Sequence, residues 1–476
     1  MDRERVLLVE RGNKVGETFR QWPKEMRFIS PSFNQQGWTD SFDLNSIAYG
    51  TSPAYTVFSE HPTGQEYADY LFHVAEANEL NIRCNTEVTA IRPFADTKGF
   101  AIDVVSTSTG KSETIRCRFV VWAAGEFQYQ RANTEIFPGS NLCLPNSNVQ
   151  SWSDLDGNDF VIIGGYESGM DAACNLSRYG KRCSVVSSTA FWNVATDDPS
   201  TELAPYTAQR VRDACNSLTP PRLLAPLRVY NVEKKVNNGY VLYAKVVEND
   251  TQKNYLEDNV KGQKICEHRV PIQVIEDELL TDMDSIIELR TTHPPILCTG
   301  FEGSIRLGVV KDLFGWGDFE TPEDKEHQGK IKNSVADGND NRYTSSMKRA
   351  ILDENRIHKK KRGTVMNSES EIIEADEASK ENTEKKFSKC HRNSPLLNEC
   401  DESTVTPGLF LVGPSVRHKD LSFCFVFKFR QRFGIVAASI AERLGYPTDE
   451  AVMKCRDMNM FLDDLSCCQA ACGEKC

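Results

Sequence analysis

Short apolar runs alternate with polar and glycine-marked breaks along this chain, the pattern of a mixed α/β protein. Val6-Leu-Leu-Val9 reads as a strand and is followed at once by Glu10. Residues 67–75, Tyr-Ala-Asp-Tyr-Leu-Phe-His-Val-Ala, space their apolar side chains as an amphipathic helix. Strands are predicted at residues 86–91, 100–105 and 119–122, and the last runs into Ala123-Ala-Gly125. A strand that meets small residues lets backbone pass close to a ligand. Phe160-Val-Ile-Ile163 is a further strand, and residues 183–186 another. Residues 201–227 read as partly helical, broken at Pro220-Pro221, and residues 241–247 alternate as a strand. Pro295-Ile-Leu-Cys-Thr-Gly300 repeats the strand-then-small-residue pattern, as does residues 406–414, where Gly413 closes a buried strand. From Lys428 to Leu444 a helix puts Phe433, Val436, Ala437, Ile440 and Leu444 on one face. Gly445-Tyr-Pro447 stops it.

Three regions do not fit this rhythm. Residues 22–55 are loop-rich but dense in aromatics and prolines, so they predict ordered structure rather than a linker. Residues 318–392 are polar and highly charged; apolar residues there are too sparse to offset ordering entropy, so a disordered insertion is expected. Its basic run, His358-Lys-Lys-Lys-Arg362, reads as solvated. The tail carries Cys467, Cys468, Cys472 and Cys476. Helical spacing would put three of them on one face as a redox relay or soft-metal site, against the plainer reading of inert thiols. The spacing is unlike common zinc patterns, and no metal is predicted.

The segment after Ile163 carries the chemistry. Gly164-Gly-Tyr-Glu-Ser-Gly169 lies between a strand and a helix-like start at Met170. Strand, tight turn and helix present backbone N–H groups to a pyrophosphate, as in a Rossmann unit. The dinucleotide fingerprint asks for glycine at positions one, three and six, here Gly164, Tyr166 and Gly169. Ser187 and Ser188 follow the second strand, where an acid would favour NAD; their neutrality, with Arg182 nearby, leans towards NADP. Glu10 ends a strand where an acid commonly holds a ribose hydroxyl. The five residues before Val6 are too few for another strand and glycine loop. The expectation is an incomplete nucleotide site or a chain lacking its natural beginning.

Size and charge narrow the class. With 476 residues there is room for two or three domains. A formal charge of -12 argues against a general nucleic-acid binder. No apolar stretch approaches a membrane span, and no signal-peptide core follows Met1. Sixteen cysteines are too dilute for a disulfide scaffold and fit a reducing compartment such as the cytoplasm.

In this order, the pieces resemble the flavoproteins with two dinucleotide-binding domains, among them thioredoxin reductases, bacillithiol-disulfide-reductase-like proteins and flavin-containing monooxygenases. The resemblance covers nearly everything except the insertion. It rests on Val6-Leu-Leu-Val-Glu-Arg-Gly12, Ala123-Ala-Gly125, the Gly164 loop, Cys298-Thr-Gly300 and Thr406-Pro-Gly-Leu-Phe-Leu-Val-Gly413. Two further segments, Trp22 to Phe33 and Phe427 to Phe433, resemble a poorly characterised subgroup. It implies an α/β fold with two Rossmann-like, three-layer domains, the FAD domain being discontinuous. The FAD domain would take residues 1–155, 295–317 and 393–476, with Val6–Glu10 and Leu409–Gly413 in one sheet. The NAD(P) domain would take residues 156–294. FAD would be met by Glu10, Val88, Ala124, Gly125, Gly300, Gly413, Pro414 and Ser415. NADP, or NAD, would be met by Gly164, Gly165, Tyr166, Glu167, Ser168, Gly169 and Ser187. A small-molecule or thiol/disulfide substrate follows, with room for a homodimer and no nucleic acid.

Four departures from the family stand out. The first FAD strand with its glycine loop is not in the chain, Tyr166 replaces a glycine, and Pro414 stands where many relatives carry Asp. Neither catalytic signature is intact: the NAD(P) domain has no Cys-x-x-Cys, and Pro145 lies near the place of the monooxygenase histidine. No catalytic side chain is therefore named, although Arg417, His418 and Lys428 lie beside the late FAD motif, as charge stabilisers or ordinary surface polarity. Three readings stay open: an FAD- and NAD(P)H-dependent oxidoreductase, a degenerate nucleotide-binding sensor or scaffold, and a fragment of an active enzyme.

Overall fold

A computed structural model of the chain describes residues 5–32, 35–36, 41–96, 98–131, 136–193, 202–236, 239–247, 286–316, 394–418 and 421–463. Two units divide it, residues 1–315 with 395–476, and residues 316–394. The charged insertion and the tail cysteines lie outside the described residues. Everything below concerns the first unit.

Strand β1 (Leu8–Val9) lies parallel to β2 (Ile82–Arg83), reached through helix α1 (Gly64–Ala77). The helix begins at a complete capping box, in which Thr63 and Glu66 each satisfy the other's backbone N–H. Its inner face buries Tyr67 and Tyr70 against Phe19, Trp22 and Phe28. The ring centroids of Phe28 and Tyr67 are 4.2 Å apart. Trp22 and Phe28 of the aromatic segment are thus core, while its Tyr49 and Tyr55 are exposed. Strands β3 (Thr86–Pro93), β4 (Phe100–Ser106) and β5 (Ser112–Cys117) form an antiparallel meander. The third strand was not legible in sequence, because its outer edge leaves Ser112, Glu113, Thr114 and Arg116 exposed and polar.

Chain order then gives β6 (Val120–Trp122), β7 (Tyr129–Gln130), β8 (Leu144–Pro145), β9 (Asp159–Ile163), α2 (Glu167–Arg178), β10 (Arg182–Val186), α3 (Pro205–Cys215), β11 (Arg222–Leu224), β12 (Leu227–Lys234), β13 (Tyr240–Val246), β14 (Ile286–Thr291), β15 (Ile296–Leu297) and β16 (Phe301–Glu302). Five of these make a parallel sheet in the order β8–β15–β9–β10–β11. Its central strand β9 is apolar on both sides because both faces are covered. Phe160 and Ile162 face a core with Met170, Leu176 and Val211 of the helices. Val161 and Ile163 face a second core built with Leu227, Leu242 and Ala244 of the antiparallel sheet β12–β13–β14. This is a three-layer domain. Residues 201–227 differ from expectation: one helix, then two strands after Pro221, since buried pairing with β10 overrides the weak helical signal.

The last part pairs β17 (Leu409–Leu411) parallel with β6, Leu409 opposite Val120. Helix α4 (Val426–Arg443) packs Val436 and Ile440 on Phe410. Ala437, expected on that face, is exposed, and the helix buries Arg430 and Arg432 instead. A further expectation fails: β1 and β17 stand in separate two-stranded pairs, not in one sheet. The second edge of β17 is already engaged, with Glu402 bridging Phe410, Ser403 N donating to Leu409 O and Leu411 N to Asp401 O.

Candidate cofactor site

The glycine loop joins β9 to α2 as the fingerprint requires. Gly164 has φ +110°, and a Cβ there would run into the backbone carbonyl of Cys298. A Cβ on Gly165 would meet Ser187 Cβ at 2.7 Å and the Trp192 ring at 3.0 Å. On Gly169 it would overlap the carbonyl of Gly164. The three glycines are therefore dictated by close packing of turn, helix and neighbouring strands. Tyr166 is the N-cap of α2 and makes no side-chain cap hydrogen bond, so no side chain of that residue takes the first-turn N–H groups. Its hydroxyl donates to Glu202 O at 3.1 Å and its ring sits 4.9 Å from that of Phe191. The side chain thus leans onto Phe191 and Glu202.

Glu167, next in the loop, accepts from Ala204 N at 2.6 Å and Thr207 Oγ1 at 2.5 Å, and so caps α3. Burial raises its carboxyl above the usual range against these hydrogen bonds. Ser168 is half-buried in the first turn. Ser187 is buried, and its hydroxyl donates to Thr189 O at 2.7 Å. Arg182 is placed differently from its expected role. It is exposed at the opposite end of β10, roughly 13 Å from Val186 at strand rise. The NADP preference loses that support.

Of the second group of expected residues, Ala124, Gly125, Gly413, Pro414 and Ser415 lie where β6 and β17 end side by side. Val412 N donates to Trp122 O at 3.1 Å, so residues 123–125 and 413–415 emerge at one end of the pair. Gly125, Gly300 and Gly413 all have positive φ, of 75°, 86° and 102°. A Cβ on Gly300 or Gly413 would meet nothing within 4 Å. Ala124 is exposed, and Pro414 is half-buried with its carbonyl bonded by Arg417. Ser415 is buried and its hydroxyl donates to Glu126 Oε1 at 2.8 Å. Glu10 folds one oxygen back onto Gly12 N at 2.6 Å. Val88 lies at a bulge in β3 opposite Val104.

Two short strands carry the chain between the glycine loop and this end. β7 pairs antiparallel with β16, Gln130 opposite Phe301. Gln130 Nε2 donates to Leu297 O at 2.8 Å and its Oε1 accepts from Ser147 N at 3.0 Å. Cys298 N donates to Ile163 O at 2.8 Å. The strand end before Gly300 therefore lies against the glycine loop, while Arg131 N donates to Gly300 O at 3.0 Å.

Sequence reasoning missed the charged residues that lock the surroundings. Arg430 is fully buried and donates to Asp43 O and Ser46 O, both at 2.5 Å. Burial lowers its guanidinium to about 10. Asp401 takes Arg432 and His418 together, the histidine nitrogen at 2.5 Å. Asp171 accepts from Arg210 at 2.8 Å and Trp152 Nε1 at 3.2 Å; burial raises its carboxyl against Arg210. The available signal was arginine inside an aromatic helix, as in Phe427-Lys-Phe-Arg-Gln-Arg-Phe433. Arg417 is spent on its own turn, donating to Pro414 O and Val416 O, His418 is spent on Asp401, and Lys428 lies 5.7 Å from the Phe425 ring centroid.

The residues fit a dinucleotide at the glycine loop and a flavin at the β6–β17 end. The first has a helix start with no side-chain cap; the second has an open glycine corner at Gly413 and a buried carbonyl, Gln128 Oε1, without a hydrogen-bond partner among the described residues. No helix among the described residues is long and apolar enough to cross a membrane.

Similarity to known proteins follows the same lines. Bacillithiol disulfide reductase Bdr (YpdA) from Staphylococcus aureus matches at 14% identity and TM-score 0.50, over 92% of this chain and 90% of that one. Ornithine N-hydroxylase KtzI from Kutzneria sp. 744, solved with reduced FAD, NADP+ and L-ornithine, matches at 12% identity and TM-score 0.51, over 92% of each chain. At these identities the likeness shows the fold alone. The family model described as pyridine nucleotide-disulphide oxidoreductase matches residues 1–254, and with more than half of its length covered, the chain belongs to that family.

Proposed function

We propose that this oxidoreductase takes hydride from NAD(P)H, NADPH first, onto an FAD held at the β6–β17 end. One observation carries the reading: the chain crosses directly from the glycine loop to that end through the paired strands β7 and β16. Bound there, the flavin would accept two electrons as hydride and pass them on. The glycine loop would orient the pyrophosphate through backbone N–H groups and the start of α2. Gly125, Gly300 and Gly413 would admit the flavin, with Glu10 and Val88 on its adenosine side. Ser187 backs Gly165 and shapes the loop rather than offering its hydroxyl outward. Division into an FAD part, residues 1–155, 295–317 and 393–476, and an NAD(P) part, residues 156–294, belongs to the same reading.

The substrate of the second half-reaction is a small molecule or a disulfide. Cys174 and Cys183 sit in the nucleotide-domain core, where burial pushes each thiol up to about 12, so neither serves as a thiolate nucleophile. A reducing compartment, the cytoplasm first, and a homodimer complete the proposal.

The test is to purify the protein, record its flavin spectrum and add NADPH or NADH without oxygen. Bleaching of the flavin band is expected. Bound flavin that neither nucleotide reduces would refute the hydride step and leave a nucleotide sensor or scaffold.

A further inference from the structure

Gln128 lies on the turn between β6 and β7, at the end of the strands where Gly125 and Gly413 open. Its side-chain oxygen Oε1 is buried and has no hydrogen-bond partner among the described residues. Its Nε2 lies 3.5 Å from where a Cβ on Gly125 would stand. The turn is fixed from several sides. Glu126 accepts from Ser415 at 2.8 Å, Gly125 O accepts from Ser304 Oγ at 2.9 Å, and Phe127 packs edge-on against Phe301 at 5.4 Å. Tyr129 then enters the β7–β16 pair.

A buried carbonyl left without a donor costs stability, and native proteins keep few such groups. Here Glu126 and the Gly125 carbonyl are engaged with Ser415 and Ser304, and among the described residues none donates to Oε1. Such an acceptor is suited to a donor that arrives from outside the chain.

We infer that Gln128 is a positioning residue of the flavin site, its Oε1 accepting a hydrogen bond from an N–H or O–H of the bound flavin. The inference rests on the flavin reading above. The donor is either the ring imide N–H or a ribityl hydroxyl.

The effects on the free and the bound protein have opposite signs, and this makes the role testable. Gln128→Leu removes the orphan acceptor without emptying its volume. Without FAD, the variant is expected to melt at the wild-type temperature or above it. FAD binding, read by quenching of flavin fluorescence in the full chain, is expected to weaken about tenfold, the effect of losing one buried hydrogen bond. Gln128→Glu keeps an acceptor oxygen and is expected to bind FAD within about threefold of wild type, as an acceptor is retained. 3-Methyl-FAD, which lacks the ring N–H, separates the donors. If only wild type discriminates against it, the ring is the partner; if the Leu variant weakens both flavins equally, the ribityl chain is.

Wild type that binds FAD while Gln128→Leu binds it equally well overturns the inference and leaves the flavin reading intact. A Leu variant that melts lower without FAD, or does not fold, assigns Gln128 a structural role and also overturns it. Wild type that takes up no FAD overturns both.

Discussion

Arg432 grips Asp401 twice, Nε to Oδ2 at 3.0 Å and a terminal nitrogen to Oδ1 at 2.6 Å, with both side chains buried. The pair ties α4 to the turn before β17, and His418 joins on the same carboxylate. Breaking one side of a buried pair strands the other charge. Arg432→Leu is expected to destabilise the protein by about 3–5 kcal/mol in urea unfolding. Adding Asp401→Asn should recover part of that loss, because the stranded charge goes with it.

Gly169 faces the carbonyl of Gly164 so closely that any side chain must move the loop. Gly169→Ala is expected to raise the Michaelis constant for NADPH at least tenfold, about the loss of one well-placed phosphate hydrogen bond. The flavin content should stay unchanged, since FAD would bind at the other end of the β7–β16 crossing. Anaerobic NADPH titration with a flavin spectrum of each protein reads both quantities.

The layers of the nucleotide domain were legible because buried strands and glycine loops carry local signals. Phe160 to Ile163 is apolar on both faces, and Gly164, Gly165 and Gly169 are fixed by backbone approach. The polar strand at residues 112–117 was not legible, since its exposed outer edge carries polar side chains, and the strand at 222–224 was not, since its partner, residues 184–186, lies beyond an intervening helix. The same holds for the buried charges. Nothing near Arg430 in sequence announces that Asp43 and Ser46, nearly four hundred positions away, offer it their carbonyls. The neutral Ser187 looked like a ribose contact, but its neighbours turn the hydroxyl inward.

Glu25 gathers hydrogen bonds from Ser151 Oγ, Trp152 N at 3.0 Å and Tyr179 OH at 3.1 Å, joining the aromatic segment to the nucleotide domain. Burial pushes its carboxyl up, but the Ser151 hydroxyl and nearby backbone N–H groups outweigh that, and it titrates below its ordinary value. A carboxyl lowered on folding contributes stability above its unfolded value and loses it as pH falls through its folded one. Glu25→Gln is therefore expected to lower the melting temperature near pH 7. Its difference from wild type should shrink as pH drops below the ordinary carboxylate range. A constant gap across a pH series of melts would contradict this.

Tyr166 stands where the fingerprint has glycine, yet its phenol bonds Glu202 O at 3.1 Å and its ring leans on Phe191. The loop's close approach to phosphate depends on backbone N–H groups, which a side chain directed onto Phe191 and Glu202 does not cover. Restoring the glycine should therefore bring little. Tyr166→Gly is expected to change NADPH affinity less than about threefold, because it removes no phosphate contact. It should lower the melting temperature by a few degrees, through the lost ring contact and hydrogen bond. Isothermal titration of both proteins with NADP+, beside their thermal melts, separates the two effects. A tenfold gain in affinity would mean that the phenol obstructs the pyrophosphate, and that Phe191 and Glu202 do not hold it aside.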